Sequence, residues 1–314
     1  MIVAGQLIAY IVNAVLIHVV AGTTSWRWML GVAFIPAVML WVGMLFVPET
    51  PRWYAIHGRC SDAEAALRRA REPQQVPQVL HRIEEMARRP HSHEGRSGWV
   101  YLRARWVRVL LIIGVGIGVC QQITGINTVI YYAPTILEST GLAARASITA
   151  SIAIGVVGVL AVTLGMWLVG RVNRRPMLIV GLCGTTTSLL TLALCFLLPS
   201  ATWRSYLLLG IMLVFVAFQQ SSISVVTWLV MSELFPLKIR GFAMGVAVFV
   251  LWMVNFAISI SFPVITTSVG PTWTFLIFVA LGVLAIAFVS TTMPETRGRS
   301  LEELEDGFRA RYSS

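Results

Sequence analysis

Eight long apolar segments, separated by polar loops, constrain the fold of this chain more than any other feature. Each has about 20 residues or more with almost no charge, the length needed to cross a bilayer as an α-helix. Open strands are excluded, because backbone amides in lipid must be satisfied within the segment. Charged residues make up only 12% of the chain, against about 25% in a soluble domain. The predicted fold class is therefore an all-α, multi-pass membrane protein, with spans at Met1–Val20, Trp28–Val47, Val107–Ala133, Ser147–Val169, Pro176–Pro199, Tyr206–Met231, Phe242–Val264 and Trp273–Met293.

The basic residues indicate how the chain is oriented in the membrane. With eight spans, loops alternate between the two sides, and both termini share one side. All but three of the 24 Lys and Arg residues fall on that side, the exceptions being Arg27, Arg145 and Arg204. Because positive residues concentrate in cytoplasmic loops, both termini are predicted to be cytoplasmic, with the protein in the cell's inner (plasma) membrane. The net charge of +10 thus reflects topology, and no nucleic-acid partner is expected.

A repeated phrase predicts the organisation of the chain. Pro48-Glu49-Thr50 recurs as Pro294-Glu295-Thr296, with six predicted spans between the copies and two before the first. A phrase that closes a six-span unit should have six spans before its first copy, so four spans are expected to be missing. The predicted regions are 1–47, the last two spans of an N-terminal half; 48–106, a cytoplasmic linker with short helices; 107–293, a complete six-span C-terminal half; and 294–314, a cytoplasmic tail.

Two short helices are predicted within the linker. Ser61-Asp62-Ala63-Glu64 has the spacing of a capping box, which would start the first helix at Ser61. Pro73 and Pro77 would end it. A second helix is predicted over Val79–Arg89.

The densest set of intramembrane polar groups lies in the third span. Gln121, Gln122 and Asn127 are followed by Tyr131. Carboxamides both donate and accept hydrogen bonds, which suits a neutral, hydroxyl-rich ligand. On an ideal helix Gln121 and Asn127 would lie about 120° apart, so they share a face only if the helix loosens, which Gly125 would allow. The cluster favours a ligand site, with hydrogen bonding between helices as the alternative.

Further polar and aromatic candidates occur in other spans. In the sixth span Gln220, Ser224 and Trp228 follow i, i+4, i+8 and would line one face. An indole can stack on the apolar face of a sugar, although Trp228 could equally be an interfacial anchor. The remaining candidates are Trp252 and Asn255, for which ordinary packing is the alternative, and Gln6, a polar outlier in the first span.

Charged residues at the cytoplasmic ends of the spans form a candidate gate. Arginine–carboxylate pairs there could close the inner side and break when two halves of a bundle rock. The alternative for the arginines is simple positive-inside anchoring. The candidate gating residues are Glu49, Arg52, Arg174, Arg175, Glu233, Arg240 and Glu295.

Enzymatic chemistry has no support in the sequence. It contains no Gly-Lys-Ser/Thr phosphate loop, no metal-ligand set and no nucleophile triad. No cofactor, no metal and no catalytic residue are therefore expected.

Five motifs in order resemble the sugar porter family of the major facilitator superfamily. They are Pro48-Glu49-Thr50-Pro51-Arg52-Trp53, Gln121-Gln122-Ile123-Thr124-Gly125-Ile126-Asn127 with Tyr131-Tyr132, Ser232-Glu233-Leu234-Phe235-Pro236, Arg240-Gly241 and Pro294-Glu295-Thr296-Arg297-Gly298. The chain looks most similar to bacterial members, with the actinobacteria as the expected source. The resemblance implies a twelve-span helical bundle that moves a monosaccharide by alternating access.

The resemblance also implies roles for individual residues. Gln121, Gln122 and Asn127 would bind the sugar, with Tyr131 closing the outer side. Trp228 falls on the family's sugar-contacting Trp, and Trp252 falls on a second aromatic position. Gln220 replaces a sugar-contacting Glu of vertebrate members, and Gln6 falls on a cavity-facing position.

The chain also departs from the family pattern. Ser224-Val225 replaces the usual Gly-Pro before Trp228, so this helix is expected to be less broken. The four absent spans would carry the acid that takes the proton in coupled members. Proton symport and facilitated diffusion therefore both stay open, and this chain is expected to transport poorly or not at all. The alternatives are a non-transporting sugar sensor or partner subunit, and a polyol transporter. The expected partners are a small-molecule sugar, membrane lipid and, in the coupled case, protons.

Overall fold

The computed structural model describes residues 2–20, 25–70, 76–88, 102, 104–138, 144–199, 201–236, 239–298, 303, 308 and 310. Eight helical segments of this part of the chain are long and apolar enough to cross a membrane, which confirms the predicted fold class. They are Ile2–Val19, Ser25–Phe46, Arg105–Glu138, Ala146–Val169, Arg174–Cys195, Trp203–Leu234, Arg240–Val269 and Pro271–Thr292.

The helices divide into two compact units, residues 1–23 with 98–314, and residues 24–97. The larger unit contains α1 and the helices from α7 onward. Their bounds are α1 Ile2–Val19, α7 Arg105–Ile123, α8 Ile126–Glu138, α9 Ala144–Val169, α10 Arg174–Cys195, α11 Thr202–Phe218, a π-helical turn Gln219–Ile223, α12 Ser224–Leu234, α13 Arg240–Val269 and α14 Pro271–Thr292.

Polar residues separate two apolar clusters inside this larger unit. One cluster includes Ile117 and Cys120 on α7, and the other begins at Ile126 on α8. The same alternation occurs further along the chain. Val216 belongs to the second cluster and Ile223 to the first. The buried polar residues between these blocks are Gln121, Gln122, Thr124, Gln219, Gln220 and Ser222. A polar layer near the middle of the spans is where transporters place their substrate sites.

Small residues allow close approach of α1 to α9. A Cβ atom added at Gly155 would lie 2.9 Å from Leu7 Cδ1 and 3.1 Å from the Leu7 Cα. Without a hydrophobic driving force between helices in lipid, such backbone proximity supplies van der Waals packing. This contact is why α1 belongs to the larger unit.

The smaller unit contains α2 Ser25–Val32, α3 Phe34–Phe46, α4 Pro51–Ile56, α5 Cys60–Ala70 and α6 Val76–Arg88. Helix α4 was not predicted; it starts because Thr50 Oγ1 accepts a hydrogen bond from the Trp53 amide at 3.2 Å and Pro51 occupies the first turn. The predicted linker helices are present with shifted ends. Helix α5 begins at Cys60, one residue before Ser61, and α6 takes Pro77 into its first turn, where the missing amide proton costs nothing.

Candidate functional site

The break between α7 and α8 positions the predicted carboxamides. Gly125 adopts a φ of +74°, and its amide donates to Gln122 O at 2.9 Å. This hydrogen bond spans three residues, whereas the bonds of a regular α-helix span four. Thr124 Oγ1 donates to Gln121 O at 2.7 Å and satisfies that carbonyl at the end of α7. The loosening predicted at Gly125 is thus observed as a full interruption of the helix.

Asn127 joins two helices across this break. Its Nδ2 donates to Gln122 Oε1 at 2.9 Å and to Asn255 Oδ1 of α13 at 2.8 Å. Ser259 Oγ contributes a longer bond of 3.5 Å to the same Asn255 oxygen. The structure therefore brings Gln122, Asn127 and Asn255 together in one hydrogen-bonded set. The amino group of Asn127 has two protons, and both serve these contacts.

The π-helical turn brings a second pair of glutamines to the same layer. Gln219 is fully buried, and its Nε2 lies 3.5 Å from Gln121 O. The Oε1 atoms of Gln121 and Gln219 are both buried, and neither has a hydrogen-bond partner among the described residues. Buried acceptors of this kind are costly unless a donor reaches them. The site can therefore accept hydrogen bonds from the hydroxyl groups of a bound solute or from water.

Gln219 was not singled out in the sequence analysis, which chose Gln220 by helical spacing. Ser224 N donates to Gln219 O, a bond over five residues, so the chain makes one wide turn here. The wide turn moves Gln220 out of register with Ser224 and Trp228. The adjacent Gln219-Gln220 pair was visible in the sequence. The π-helical turn that buries both side chains was not predictable from helical spacing. The helix is also distorted at this point, where the replacement of Gly-Pro by Ser224-Val225 predicted a less broken helix.

The aromatic candidates and Gln6 lie outside the hydrogen-bonded set. Trp228, Trp252 and Tyr131 are 39%, 48% and 54% exposed. They are available for contact with a solute or with neighbouring apolar groups. Gln6 is half-buried on α1, where its Nε2 donates to Tyr10 Oη at 3.0 Å.

Glu295 caps the start of α10. Its carboxylate accepts from the backbone amides of Arg174 at 3.0 Å, Arg175 at 3.1 Å and Arg297 at 3.1 Å. Burial pushes the pKa of this carboxyl upward, but the backbone amides of Arg297, Arg174, Arg175 and Thr296 outweigh that effect and hold the pKa below its ordinary value. An anion at a helix N-terminus also interacts favourably with the helix dipole.

Glu233 is the second carboxylate of this cytoplasmic-end cluster. Arg174 Nη2 lies 3.2 Å from its Oε1, and Thr296 Oγ1 donates to its Oε2 at 2.6 Å. Arg175 Nη2 donates to Ser290 O instead of a carboxylate. Arg240 Nε donates to Phe235 O at 3.1 Å. The structure thus joins Arg174, Glu233 and Glu295 through α10, α12 and the segment after α14.

The other gating candidates belong to the smaller unit. Glu49 is exposed just after α3, and the side chain of Arg52 lies outside the described residues. In the described part of the chain, no three His, Cys, Asp or Glu side chains lie close enough to hold a metal ion.

Comparison with known proteins places these features in a family context. The model of the family described as "Sugar (and other) transporter" matches residues 1–308. The chain is 45% identical over 317 residues to the major myo-inositol transporter IolT of Bacillus subtilis, covering 99% of this chain and 66% of IolT. It is 34% identical to the glucose transporter GlcP of Staphylococcus epidermidis, covering 99% of this chain and 68% of GlcP.

Among solved structures, the inward-open xylose transporter XylE of E. coli superimposes with a TM-score of 0.78 at 29% identity, covering 97% of this chain and 63% of XylE. A second XylE structure, described as a proton:xylose symporter of the major facilitator superfamily bound to 6-bromo-6-deoxy-D-glucose, has a TM-score of 0.76. The chain spans about two thirds of the length of these relatives.

Proposed function

Because the chain belongs to the sugar transporter family of the major facilitator superfamily, we propose that it serves the movement of a monosaccharide across the cell membrane by alternating access. In this proposal the spans of residues 107–293 form one half of the transporter, and the polar layer is its share of the substrate site. The family and fold are those of transporters, which bind their substrates and do not convert them.

The hydrogen-bonded set around Asn127 carries the proposal. Gln122, Asn127 and Asn255 come from three helices and meet between two apolar clusters. Carboxamides match hydroxyl groups, which also donate and accept. No Arg or Lys belongs to this set, so it offers no partner for a carboxylate substrate. Gln121, Gln219 and Gln220 add acceptors in the same layer, while Trp228, Trp252 and Tyr131 offer aromatic faces.

A polyol is the second candidate substrate. The relative IolT is named a myo-inositol transporter and is 45% identical to this chain. A cyclic polyol presents hydroxyl groups around the whole ring, and the neutral carboxamide of Gln220 can donate to or accept from them. The same site therefore serves either solute class, and a direct comparison of ligands decides between them.

The cluster of Arg174, Glu233 and Glu295 is proposed as an inner latch. Positive residues at this end of the spans support a cytoplasmic location, with both termini on that side. All three residues lie on or just after the spans of residues 107–293, so the latch would form where they meet charged residues of the other half, and rocking of the halves would separate those partners. Glu49, Arg52, Arg175 and Arg240 are proposed as further members at the same membrane surface. XylE is described as a proton:xylose symporter, so the proton is the proposed coupling ion if transport by this protein is coupled.

Substrate binding by the purified 314-residue protein tests the proposal directly. Isothermal titration in detergent would compare D-glucose, D-xylose, myo-inositol, mannitol and lactate. We expect saturable binding of at least one neutral solute and none of lactate. Asn127→Ala should weaken the binding that is observed by at least about tenfold. A preference for lactate, or neutral-solute binding that survives Asn127→Ala unchanged, would contradict the proposed site.

Flux is a separate readout. Uptake of the bound solute into liposomes would distinguish a transporter from a membrane protein that binds sugar without moving it. Binding with no flux would leave the site intact and overturn the transport step for this chain.

A further inference from the structure

An apolar groove of about 380 Å³ runs between α9 and α11. Its walls are Val157, Leu160, Ala161, Leu164, Ala217, Phe218 and Ser221. On an ideal helix, Leu160 and Leu164 lie about 140° and 180° from Gly155, where α1 packs. The groove therefore opens on the side of α9 that faces away from α1. Leu160 and Leu164 are 65% and 51% exposed in a membrane span, which suits a surface that contacts lipid.

The same stripe of α9 leads to a positively charged end. Trp167 follows Leu164 by three residues on one face of α9, and Arg171 lies in the turn just after α9 ends at Val169. The Arg171 guanidinium carbon lies 3.9 Å from the centroid of the Trp167 ring, and its Nη1 donates to Trp167 O at 3.3 Å. Both side chains are exposed. An arginine stacked on tryptophan at a membrane boundary keeps its remaining donors directed toward the headgroup region.

A second cation reinforces this charge. Arg297 Nη2 donates to Gly170 O at 3.0 Å, and its Nη1 donates to Arg171 O, so two guanidinium groups are held at the end of α9. The nearby Glu295 carboxylate is already bonded to the amides of Arg174 and Arg175. The local charge that faces a lipid headgroup is therefore positive.

We propose that an anionic glycerophospholipid occupies this surface, with its phosphate at Arg171 and one acyl chain in the groove between α9 and α11. Arginine binds phosphate through charge-assisted hydrogen bonds, and basic sites between membrane helices bind anionic headgroups. The apolar groove supplies the acyl contact that a soluble phosphate would not use. This lipid site lies outside the polar layer and does not depend on which solute is carried.

The position of the groove gives the lipid a structural consequence. Phe218 and Ser221 line the groove. Phe218 directly precedes the π-helical turn that carries Gln219 and Gln220, and Ser221 lies within that turn. A Cβ atom added at Gly165 of α9 would collide with the Ser221 carbonyl, so α9 and the turn are in close backbone contact. The acyl chain would pack against both, and its presence is expected to stabilise the turn.

Native mass spectrometry of the delipidated, detergent-purified protein tests the proposal. The protein would be titrated with phosphatidylglycerol and, separately, phosphatidylcholine, and the lipid-bound fraction measured. We expect a preference for phosphatidylglycerol. Arg171→Gln should weaken that binding about fivefold, the effect of one cation near a lipid surface. Ala217→Phe, which fills the groove without changing charge, should reduce the binding of phosphatidylglycerol as well.

Arg27→Gln is the matched control. Arg27 also lies over an exposed tryptophan, Trp26, at 5.3 Å, but it belongs to the smaller unit and does not line the groove. It should leave the affinity for phosphatidylglycerol unchanged. Equal losses in Arg171→Gln and Arg27→Gln would overturn the site, as would equal binding of both lipids. A dimer of the chain that disappears in Ala217→Phe would assign the groove to a second copy and overturn the lipid assignment.

Discussion

Asn127 Nδ2 donates to Asn255 Oδ1 at 2.8 Å, although 128 residues separate the two side chains in the chain. The same nitrogen also donates to Gln122 Oε1 at 2.9 Å. One amino group thus links α7 and α8 with α13 at the level of the polar layer. The geometry of the proposed substrate site depends on this link.

Removal of the Asn127 amide should weaken solute binding. Asn127→Ala removes a proposed solute contact and the donor that orients Gln122 Oε1 and Asn255 Oδ1. A solute hydroxyl left without its partner in the bound state costs about 1–3 kcal/mol. We expect at least about a tenfold loss of affinity in isothermal titration, since about 1.4 kcal/mol corresponds to a factor of ten. Asn173→Ala is the control, because Asn173 is exposed and makes no side-chain cap bond. Equal affinities of the two variants would remove Asn127 from the site.

Substitution of Gly125 should destabilise the protein. Its φ of +74° disfavours a side chain by about 1–2 kcal/mol, and an added Cβ would lie 3.1 Å from the Phe278 ring. Gly125→Ala is therefore expected to lower the free energy of unfolding and the melting temperature in detergent. Gly245→Ala on α13 has open space around its Cβ and a helical backbone, so it should be neutral or stabilising. The opposite ranking would show that the break between α7 and α8 does not need glycine.

Arg174 and Glu233 should be energetically coupled. Their side chains are only 14% and 27% exposed, so the ion pair is shielded more than a surface pair. A double-mutant cycle with Arg174→Gln and Glu233→Gln is expected to give about 0.5–3 kcal/mol in the free energy of unfolding. The same cycle with Arg240→Gln should give less than about 0.5 kcal/mol, because Arg240 contacts Phe235 O. Equal coupling in both cycles would refute the Arg174 pairing.

Glu295 should make stability depend on acidic pH. Its pKa in the folded protein lies below the ordinary value of 4.5, because four backbone amides outweigh the effect of burial. The stabilisation is therefore fully present above about pH 4.5 and is lost as the pH falls through the lower, folded-state pKa. Melting temperatures measured across this range should fall more steeply for the unmodified protein than for Glu295→Gln.

The exposed residue Glu138 provides the control for this titration. Glu138→Gln should retain the pH dependence of the unmodified protein. Glu295→Gln should also lower stability at neutral pH by about 0.5–2 kcal/mol through loss of the α10 cap. An unchanged pH profile in Glu295→Gln would show that the capping contact contributes nothing.

The repeated Pro-Glu-Thr phrase shows how far a sequence pattern can be taken. Both copies follow a membrane span, as predicted. In the first copy Thr50 caps α4, whereas in the second Thr296 Oγ1 donates to Glu233. Glu49 is exposed, while Glu295 caps α10. The same three residue types make different contacts in the two copies because the neighbouring helices differ. A local sequence pattern does not show which helices will be neighbours.

The glutamines of the polar layer show the same limit. A helix break at Gly125 was predictable, because glycine tolerates the left-handed backbone that interrupts a helix. The π-helical turn at Gln219–Ile223 was not, since it contains neither Gly nor Pro. Helical spacing therefore selected Gln220, and Gln219, whose amide approaches the Gln121 carbonyl, was missed.

The sequence alone determined the eight spans and the helical fold class. Lipid offers no water to hydrogen-bond the backbone, so a long apolar segment must form a helix to satisfy its own amides and carbonyls. It also identified Gln122, Asn127 and Asn255 as candidates, because buried carboxamides in a span require partners. Only the tertiary structure decided which partners they have. In the structure Asn127 bonds Asn255, and Glu233 pairs with Arg174 while Arg240 bonds the Phe235 carbonyl. The Glu295 carboxylate caps the N-terminus of α10. These pairings depend on how helices distant in sequence approach and rotate against one another, which is set by packing over whole helices.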